Sequence, residues 1–243
     1  MAEEKKIALV IGGSRGIGRA IVERLASSGF DIWLTYRGNH AAAEAAKAAV
    51  EAQGRECRLA AFDVADRAAT RAALEPLLHE RCPDALVYNS GIARDNLLAF
   101  MREEEWDAVL HTNLDGFFNV TKPVIFEMIR KKRGRIVVIS SVSGQLGQAG
   151  QVNYSASKAG LIGAARALAR EVGRKNVLVN VVCPGVIETE MTTELSKEHI
   201  LPLIPLNRYG TAEEVAAVVD FLCSEPKMYV HGQVIGVNGG MAT

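Results

Sequence analysis

The chain has 243 residues, of which 28 are basic and 28 are acidic. This length fits one large α/β domain better than two small ones, and the neutral balance gives no electrostatic reason to expect a nucleic-acid partner. The apolar fraction of 49% is ample for a core, and no window approaches the length of a membrane span. We therefore predict one cytoplasmic domain over residues 1–243, with no membrane contact.

Cysteine and histidine positions bear on metal and redox chemistry. The four cysteines and five histidines are scattered without the spacing of a metal or redox site. We expect the cysteines to be reduced and mostly buried thiols, as in a cytosolic protein, and we predict no metal site. The N-terminus has a charged opening and only a short apolar run over 7–11, which is unlike a signal peptide.

Short apolar segments alternate with longer helical patterns along the chain, which predicts a parallel sheet covered by helices on both faces. Strands are predicted over 7–11, 31–35, 57–62, 85–88, 135–140, 176–183 and 233–237. Helices are predicted from the glycine-rich turn to about residue 28, from about residue 66, and over 41–53, 103–132, 152–175 and 212–224. The fold class is therefore α/β.

A glycine-rich turn, 12–18, connects the first strand to the first helix. Glycines there allow a tight turn and bring backbone N–H groups close to a pyrophosphate at the helix N-terminus. Many such turns are only turns, but this position between a strand and a helix favours a dinucleotide site. We predict cofactor contacts at Gly12, Ser14, Arg15, Gly16, Ile17 and Gly18.

The end of the second strand bears on the choice of cofactor. NAD-selective sites usually carry an acidic residue here, and this chain has Tyr36 and Arg37 instead. Because Arg37 and Arg15 are available for a 2′-phosphate, we predict NADP(H). The alternative is that both arginines are solvated surface charges.

Two further strand ends are candidates for cofactor contacts. Asp63, beside Val64, is predicted to accept from the adenine amino group, to cap the helix that begins near Asp66, or both. The fourth strand ends in the turn 89–91, where glycine lets the backbone approach the cofactor. We therefore include Asn89 and Gly91 among the cofactor contacts.

Tyr154 and Lys158 lie four residues apart in a predicted helix, on one face and one turn from each other. The unperturbed pKa of tyrosine is about 10, and we expect the lysine charge to lower the pKa of this phenol towards working pH. The same spacing often marks only an exposed helix face. The catalytic interpretation of the pair is supported by Ser141, a hydroxyl donor after an apolar strand, and by the glycine-rich turn predicted to bind the pyrophosphate. Together these groups are what hydride transfer to a carbonyl requires.

The helical pattern over 103–132 is long and contains Asn113 and an internal proline, Pro123, which invites a bend. Its apolar residues exceed one core-facing stripe: Phe117, Phe118, Val124, Phe126 and Met128. We expect the surplus among them to form a subunit contact. A long connection follows Pro184 and runs to about residue 206. Connections of this length are usually functional, often lids.

These motifs together resemble the short-chain dehydrogenase/reductase family over essentially the whole chain. The motifs are the glycine turn, Asn89-Ser90-Gly91, Asn113, Ser141, Tyr154-x-x-x-Lys158 and Pro184-Gly185. Within the family, the chain looks most like the reductases of 3-oxoacyl thioesters on acyl carrier protein. That likeness rests on 94–98, 105–106, 112–114, 153–154 and 237–241. Ile11 and Tyr88 depart from the family pattern, which leaves room for a specialised enzyme of polyketide or aryl polyene synthesis.

The resemblance implies a doubly wound, seven-stranded parallel Rossmann fold, a homotetramer and a 3-oxoacyl thioester substrate. Tyr154 would donate the proton, Ser141 would bind the substrate oxygen, and Lys158 would bind the cofactor ribose. Asn113 would hold a water that relays protons to Lys158. Further cofactor contacts are implied at Pro184, Gly185, Ile187 and Thr189.

The resemblance also implies a carrier-docking surface. Lys132 and Lys175 fall where the carrier-protein reductases place basic residues, although cations at helix C-termini are favourable without any partner. Other readings remain open: a reductase of a CoA thioester, free ketone, sugar or steroid, or a non-catalytic NADP-binding subunit. The intact set of Asn113, Ser141, Tyr154 and Lys158 argues against the last.

Overall fold

A computed structural model describes residues 5–192, 197–225 and 227–243. Its seven strands are β1 Lys6–Ile11, β2 Phe30–Tyr36, β3 Cys57–Ala61, β4 Ala85–Tyr88, β5 Gly134–Ile139, β6 Val177–Pro184 and β7 Val234–Val237. They form one sheet in the order β3-β2-β1-β4-β5-β6-β7, and every pair is parallel. This confirms the predicted fold class and places the carboxyl ends of all seven strands at one edge.

The helices between the strands cover both faces of the sheet. They are α1 Gly16–Ser27, α2 His40–Glu51, α3 Arg67–Glu80, α4 Glu103–Leu110, α5 Gly116–Lys131, α6 Ser143–Leu146, α7 Val152–Val172, α8 Lys197–Ile200 and α9 Ala212–Ser224. One apolar cluster joins the sheet to α3, α5 and α7, and a second joins it to α1, α2 and α9. Alternate residues of β1 enter the two clusters, because successive side chains of a strand point to opposite faces.

The predicted long helix over 103–132 is confirmed as one continuous helical stretch over 103–131, with one irregularity. A π-helical turn, His111–Asp115, separates α4 from α5, and Asn113 lies in it. The Tyr88 hydroxyl donates to the Thr112 carbonyl oxygen at 2.8 Å, and this bond satisfies a backbone acceptor inside the turn. Helix α5 continues through Pro123. Turns of this kind occur frequently at functional sites.

The surplus apolar residues of this segment divide into two groups. Phe117, Val124 and Met128 are buried in the core, whereas Phe118 and Phe126 remain 48% and 64% exposed. The exposed pair is the part that a subunit contact would cover.

The start of α3 is set by a local signal. The Asp66 carboxylate accepts from the N–H groups of Ala68 and Ala69 and so caps α3. The alternative that Asp63 caps this helix is therefore wrong, because its carboxylate accepts from the Ala65 N–H two residues away. The predicted helix 152–175 ends earlier, at Val172, and its last turn tightens to a 3₁₀ helix over Gly173–Lys175.

The connection after β6 contains only short helical pieces, and its residues 193–196 lie outside the described part of the chain. All four cysteines are buried free thiols, as expected. In the described ranges, no helix combines the length and apolarity needed to cross a membrane. Over the same ranges, no group of three or more His, Cys, Asp or Glu side chains is arranged to hold a metal ion.

Candidate active site

The predicted site residues gather at the carboxyl edge of the sheet. The glycine turn follows β1, Asn89 follows β4, Ser141 follows β5 and Gly185 follows β6. Strands β1 and β4 are neighbours although β2 and β3 come between them in sequence, so the chain reverses direction across the sheet at this point. Ligands of open α/β sheets bind in the crevice at such a switch point.

The glycine turn has the close packing of a nucleotide cradle. Gly12 and Gly16 have φ values of +75° and +53°, which favour glycine. A Cβ atom at Gly18 would overlap the Gly12 carbonyl oxygen, and that oxygen accepts from the Asn89 amide at 2.9 Å. The absence of side chains leaves the backbone accessible at the N-terminus of α1, where N–H groups and the helix dipole favour an anion. These residues fit a dinucleotide pyrophosphate.

Gly91 and Thr189 bring the catalytic side chains and the loop after β6 close to the glycine turn. A Cβ atom at Gly91 would lie 3.2 Å from both the Lys158 Nζ and the Asn113 Oδ1 atoms. Thr189 approaches the glycine turn, because a Cβ atom at Gly16 would lie 3.6 Å from its methyl group. The main chain at Ile187 and Thr189 is held by Thr192, whose hydroxyl donates to the Ile187 carbonyl oxygen at 2.6 Å.

Arg37 and Arg15 lie at the surface and already face carboxylates. The Arg37 Nε atom is 3.4 Å from an Asp63 carboxylate oxygen, and an Arg15 Nη atom is 3.3 Å from a Glu190 carboxylate oxygen. Exposed pairs of this kind are worth about 0–1 kcal/mol, so an incoming phosphate can displace them. Val64 is buried, and its carbonyl oxygen accepts from the Asn119 amide at 2.9 Å. The Val64 carbonyl is therefore engaged within the protein.

Tyr154 and Lys158 lie on one face of α7, as the spacing predicts. The Lys158 Nζ atom is 5.5 Å from the centroid of the Tyr154 ring and donates to the Ile139 carbonyl oxygen at 3.0 Å. Lys158 is 3% exposed, which is rare for an ammonium group. Such a buried cation is poised to change its protonation state at working pH.

The direction of the tyrosine pKa differs from the expectation. Burial raises the pKa of Tyr154 to about 12, the Asp95 charge adds to this, and a hydrogen bond with Ser141 opposes it. Burial also lowers the pKa of Lys158 to about 8, and the nearby Cys183 opposes that shift. The expected lowering is wrong here, because burial of the phenol disfavours its charged form more than its neighbours favour it. Tyr154 is thus held as a neutral acid.

The Ser141 hydroxyl is oriented by its own turn. Its oxygen accepts from the Ser143 N–H at 3.1 Å, which occupies one lone pair and leaves the hydroxyl proton for another acceptor. Gly144 holds this turn against α7, since a Cβ atom there would lie 2.7 Å from the Lys158 carbonyl carbon. The Ser140 hydroxyl adds a bond to the Lys158 carbonyl oxygen at 2.8 Å.

Asn113 is completely buried and tied to two segments. Its amide nitrogen donates to the Ile92 carbonyl oxygen and to the Ser157 hydroxyl, both at 3.0 Å, and its oxygen accepts from the Ile92 N–H at 2.8 Å. The side chain therefore fastens the π-helical turn to α7 and to the loop after β4. The side-chain oxygen has a second lone pair, which could accept from a water.

Sequence reasoning missed several supporting residues: Tyr88, Ser140, Ser143, Gly144, Gln151 and Ser157. Most are small polar residues without a motif of their own. Gln151 contacts Ser143 and Asp95 through loops that meet only in the folded chain. Of these residues, only Tyr88 could have been singled out from the sequence, because it departs from the family pattern.

The candidate docking lysines lie at the other edge of the sheet. Lys132 precedes β5 and Lys175 precedes β6, and these strands are neighbours in register from Gly134 and Val177 onwards. The two lysines are exposed and share one end of the fold, as expected. The six residues of β5, at about 3.3 Å each, separate this end from Ser141 by roughly 20 Å.

The basic run around Lys132 is less uniform than the sequence indicates. Arg130 pairs with Glu127 at 2.8 Å and Arg133 with Asp84 at 3.1 Å. The Arg135 side chain in β5 is partly buried, which lowers its pKa, so it does not belong to the exposed basic surface around Lys132.

Comparison with known proteins agrees with this geometry. The model of the short chain dehydrogenase family matches residues 6–200. The chain is 48% identical over 237 residues to the 3-oxoacyl-[acyl-carrier-protein] reductase FabG of Aggregatibacter actinomycetemcomitans, covering 96% of this chain and 98% of the relative. It is 46% identical to the Escherichia coli FabG, with 98% of both chains covered, and 43% identical to that of Staphylococcus aureus, with 97% and 98% covered. The chain therefore belongs to the short chain dehydrogenase family.

Proposed function

We propose that this oxidoreductase reduces 3-oxoacyl thioesters on acyl carrier protein to 3-hydroxyacyl thioesters, as a step of fatty-acid synthesis. The observation that carries the proposal is the convergence of Ser141, Tyr154 and Lys158 beside the glycine cradle. The near full-length identity to reductases named for this substrate supports it.

The proposed mechanism begins with the substrate carbonyl between Ser141 and Tyr154. The hydroxyl proton of Ser141 is available to donate to the carbonyl oxygen, because the Ser143 N–H already orients the hydroxyl. Tyr154 carries a proton at neutral pH, since burial raises its pKa to about 12. It donates that proton to the oxygen as negative charge develops there. Preorganised donors at a developing oxyanion are usually the largest single catalytic contribution, and proton transfer adds about 10²–10⁴-fold.

Lys158 and Asn113 restore the proton of Tyr154 in this proposal. The lowered pKa of Lys158, about 8, lets the ammonium release a proton at working pH. A water on the Asn113 side-chain oxygen would connect it to solvent. When bound, the nicotinamide cofactor supplies the hydride. The residues that would hold the cofactor lie in the glycine turn, after β2, β3 and β4, and at the end of β6 and in the loop that follows it. They are Gly12, Ser14, Arg15, Gly16, Ile17, Gly18, Arg37, Asp63, Val64, Asn89, Gly91, Pro184, Gly185, Ile187 and Thr189.

We propose NADP(H) as the cofactor. Arg37 lies at the end of β2 without a neighbouring acid in sequence, and its partner Asp63 is an exposed, displaceable contact. The exposed Phe118 and Phe126 of α5 support self-association, which we propose to give a homotetramer. Lys132 and Lys175 are proposed to bind the acidic carrier protein in the cytoplasm. The two lysines lie at the edge of the sheet opposite the active site. The acyl group of a carrier bound there must therefore reach along the subunit to its active site, or enter the active site of a neighbouring copy.

The test is NADPH oxidation by the purified protein with 3-oxoacyl carrier protein, 3-oxoacyl-CoA and simple ketones. We expect the highest kcat/KM for the carrier-linked thioester. A higher kcat/KM for a free ketone or sugar would indicate another reductase of the family. Absence of turnover with all substrates, together with tight NADPH binding, would indicate a non-catalytic subunit.

A further inference from the structure

A chain of hydrogen bonds leads from Asp95 to the hydroxyl of Ser141. The Gln151 amide nitrogen donates to an Asp95 carboxylate oxygen at 2.7 Å, and the Ser143 hydroxyl donates to the Gln151 amide oxygen at 3.1 Å. The Ser143 N–H then donates to the Ser141 hydroxyl oxygen at 3.1 Å. Three separate segments, the loop after β4, the start of α6 and the start of α7, therefore meet at Gln151.

Asp95 sets the direction of the two side-chain bonds in this chain, whereas the third is donated by a backbone N–H. An ionised carboxylate only accepts, so Gln151 must present its NH₂ group to it. The amide oxygen then faces Ser143, whose hydroxyl has to donate. This fixes Ser143 and its turn, and the backbone N–H of that turn occupies a lone pair of Ser141. The Ser141 proton is thereby left for an acceptor outside its own turn.

Gln151 occupies a position where another residue type is expected. It is the N-cap of α7, and N-caps are usually Ser, Thr, Asp or Asn, whose short side chains bond to their own helix. The Gln151 side chain instead reaches away, to Asp95 and Ser143. Its backbone adds a bridge to Asn96, whose N–H donates to the Gly150 carbonyl oxygen at 2.8 Å. The residue is thus placed for contacts between segments.

We propose that Gln151 is a positioning residue that, anchored by Asp95 and acting through Ser143, orients the Ser141 hydroxyl for the carbonyl oxygen. The inference rests on the proposed function, since it assigns how the proposed reaction is aligned. The Asp95 carboxylate is also near enough to Tyr154 for its charge to raise the phenol pKa, in the same direction as burial.

The experiment reverses the donor and acceptor of the Asp95–Gln151 pair. Gln151→Glu places a second carboxylate against Asp95 and breaks the chain at its origin. We expect kcat for a 3-oxoacyl thioester to fall about tenfold to a hundredfold, because small misplacements of catalytic groups have effects of this size. Adding Asp95→Asn supplies an amide that donates to the new carboxylate, so the double variant should recover most of the lost kcat at unchanged net charge.

A third variant identifies the target of the network. In a Ser141→Ala background there is no hydroxyl to orient, so Gln151→Glu should lower the residual kcat by less than twofold. NADPH affinity, measured by cofactor fluorescence, should be the same in all variants. Gln148→Ala, an exposed glutamine in the same loop, is the matched control and should keep wild-type kcat.

Three results would overturn the proposal: wild-type kcat in Gln151→Glu, the same fold-loss with and without the Ser141 hydroxyl, or failure of Asp95→Asn to rescue. A parallel loss of NADPH affinity and melting temperature would also overturn it, because it would show a purely structural role. If Gln151→Glu does not fold, Gln151→Leu removes the bonds at similar volume and is used instead. Absence of wild-type turnover would refute the proposed function itself, whereas an active wild type with an unaffected Gln151 variant refutes only this inference.

Discussion

The catalytic end of the crevice and its phosphate end are built from different kinds of contact. At the catalytic end, Asn113 and Lys158 are buried and every bond is made to a fixed backbone or helix group. At the phosphate end, Arg15 and Arg37 are exposed and held only by loose pairs with carboxylates. Proton transfer needs atoms fixed to a fraction of an ångström, whereas a phosphate tolerates movement of a long cationic side chain. Mutations at the catalytic end should therefore lower kcat steeply, whereas mutations at the phosphate end should weaken cofactor binding by graded, salt-dependent amounts.

The largest effect is expected at Tyr154. Tyr154→Phe removes the proton donor and keeps the ring, so kcat should fall by about 10²–10⁴-fold while NADPH affinity stays within twofold. Single-turnover kinetics and cofactor fluorescence measure the two quantities. Tyr229→Phe, at a fully exposed tyrosine, is the control. Near-normal kcat in Tyr154→Phe would show that another group supplies the proton.

The next effect concerns stability and pH at Lys158. Its pKa is lowered by burial from 10.5 to about 8, so between these values the unfolded chain binds a proton that the native state does not. The wild type should therefore gain stability relative to Lys158→Met as pH rises from about 8 to 10.5, by roughly 2–3 kcal/mol at 1.36 kcal/mol per pKa unit. Urea unfolding at pH 7 and pH 10.5 measures the difference.

The control for this measurement is Lys131→Met, which replaces an exposed lysine and should give a difference independent of pH. A Lys158→Met difference that is equally flat would show that the native ammonium is well solvated.

A smaller loss of stability is expected at Tyr88. Tyr88→Phe removes the bond to the Thr112 carbonyl oxygen and leaves a buried acceptor in the π-helical turn, at a cost of about 1–3 kcal/mol. Because the turn carries Asn113, kcat should fall as well, by several-fold. Thermal unfolding and steady-state kinetics test both. Unchanged stability would show that water replaces the hydroxyl, and Tyr36→Phe at a half-exposed tyrosine provides the comparison.

Cofactor choice should respond moderately to Arg37. A charge-assisted contact to a 2′-phosphate contributes about 1.5–3 kcal/mol, so Arg37→Ala should weaken NADPH binding by roughly tenfold or more and leave NADH binding unchanged. Arg71→Ala, at an exposed arginine of α3, is the control. An equal loss for both cofactors would assign Arg37 a structural role, and equal wild-type use of both would remove the NADP assignment.

The smallest effect is expected at the docking lysines. Lys132→Glu with Lys175→Glu should raise KM several-fold for a carrier-protein substrate and spare a small thioester, because long-range charge mainly raises the association rate. Added salt should mimic the mutations for the carrier-linked substrate, since screening acts over about 8 Å at physiological salt. Arg71→Glu with Lys227→Glu is the charge-matched control. If both substrates suffer equally, the lysines support the fold, and if neither does, the carrier docks elsewhere.

The amino-acid sequence by itself determined the alternation of strands and helices, the glycine cradle and the order of the site residues. These signals are local: buried parallel strands read as apolar runs, and a tight turn at a strand end needs glycine. The boundaries of β4 and α9 agree with the predicted ones to the residue. The Tyr154–Lys158 pair was recognisable because helical spacing alone brings the two side chains to one face.

Only the tertiary structure decided how the site is supported and charged. The Tyr88 hydroxyl bonds to the π-helical turn from 24 residues away, and the Gln151 contact with Asp95 spans 56 residues. The pKa of Tyr154 rises because packing removes water from the phenol, which no spacing in sequence reports. The position of Lys132 and Lys175 at the far edge follows from strand direction and order. Local patterns specify which elements form, whereas burial and long-range hydrogen bonds exist only once those elements pack.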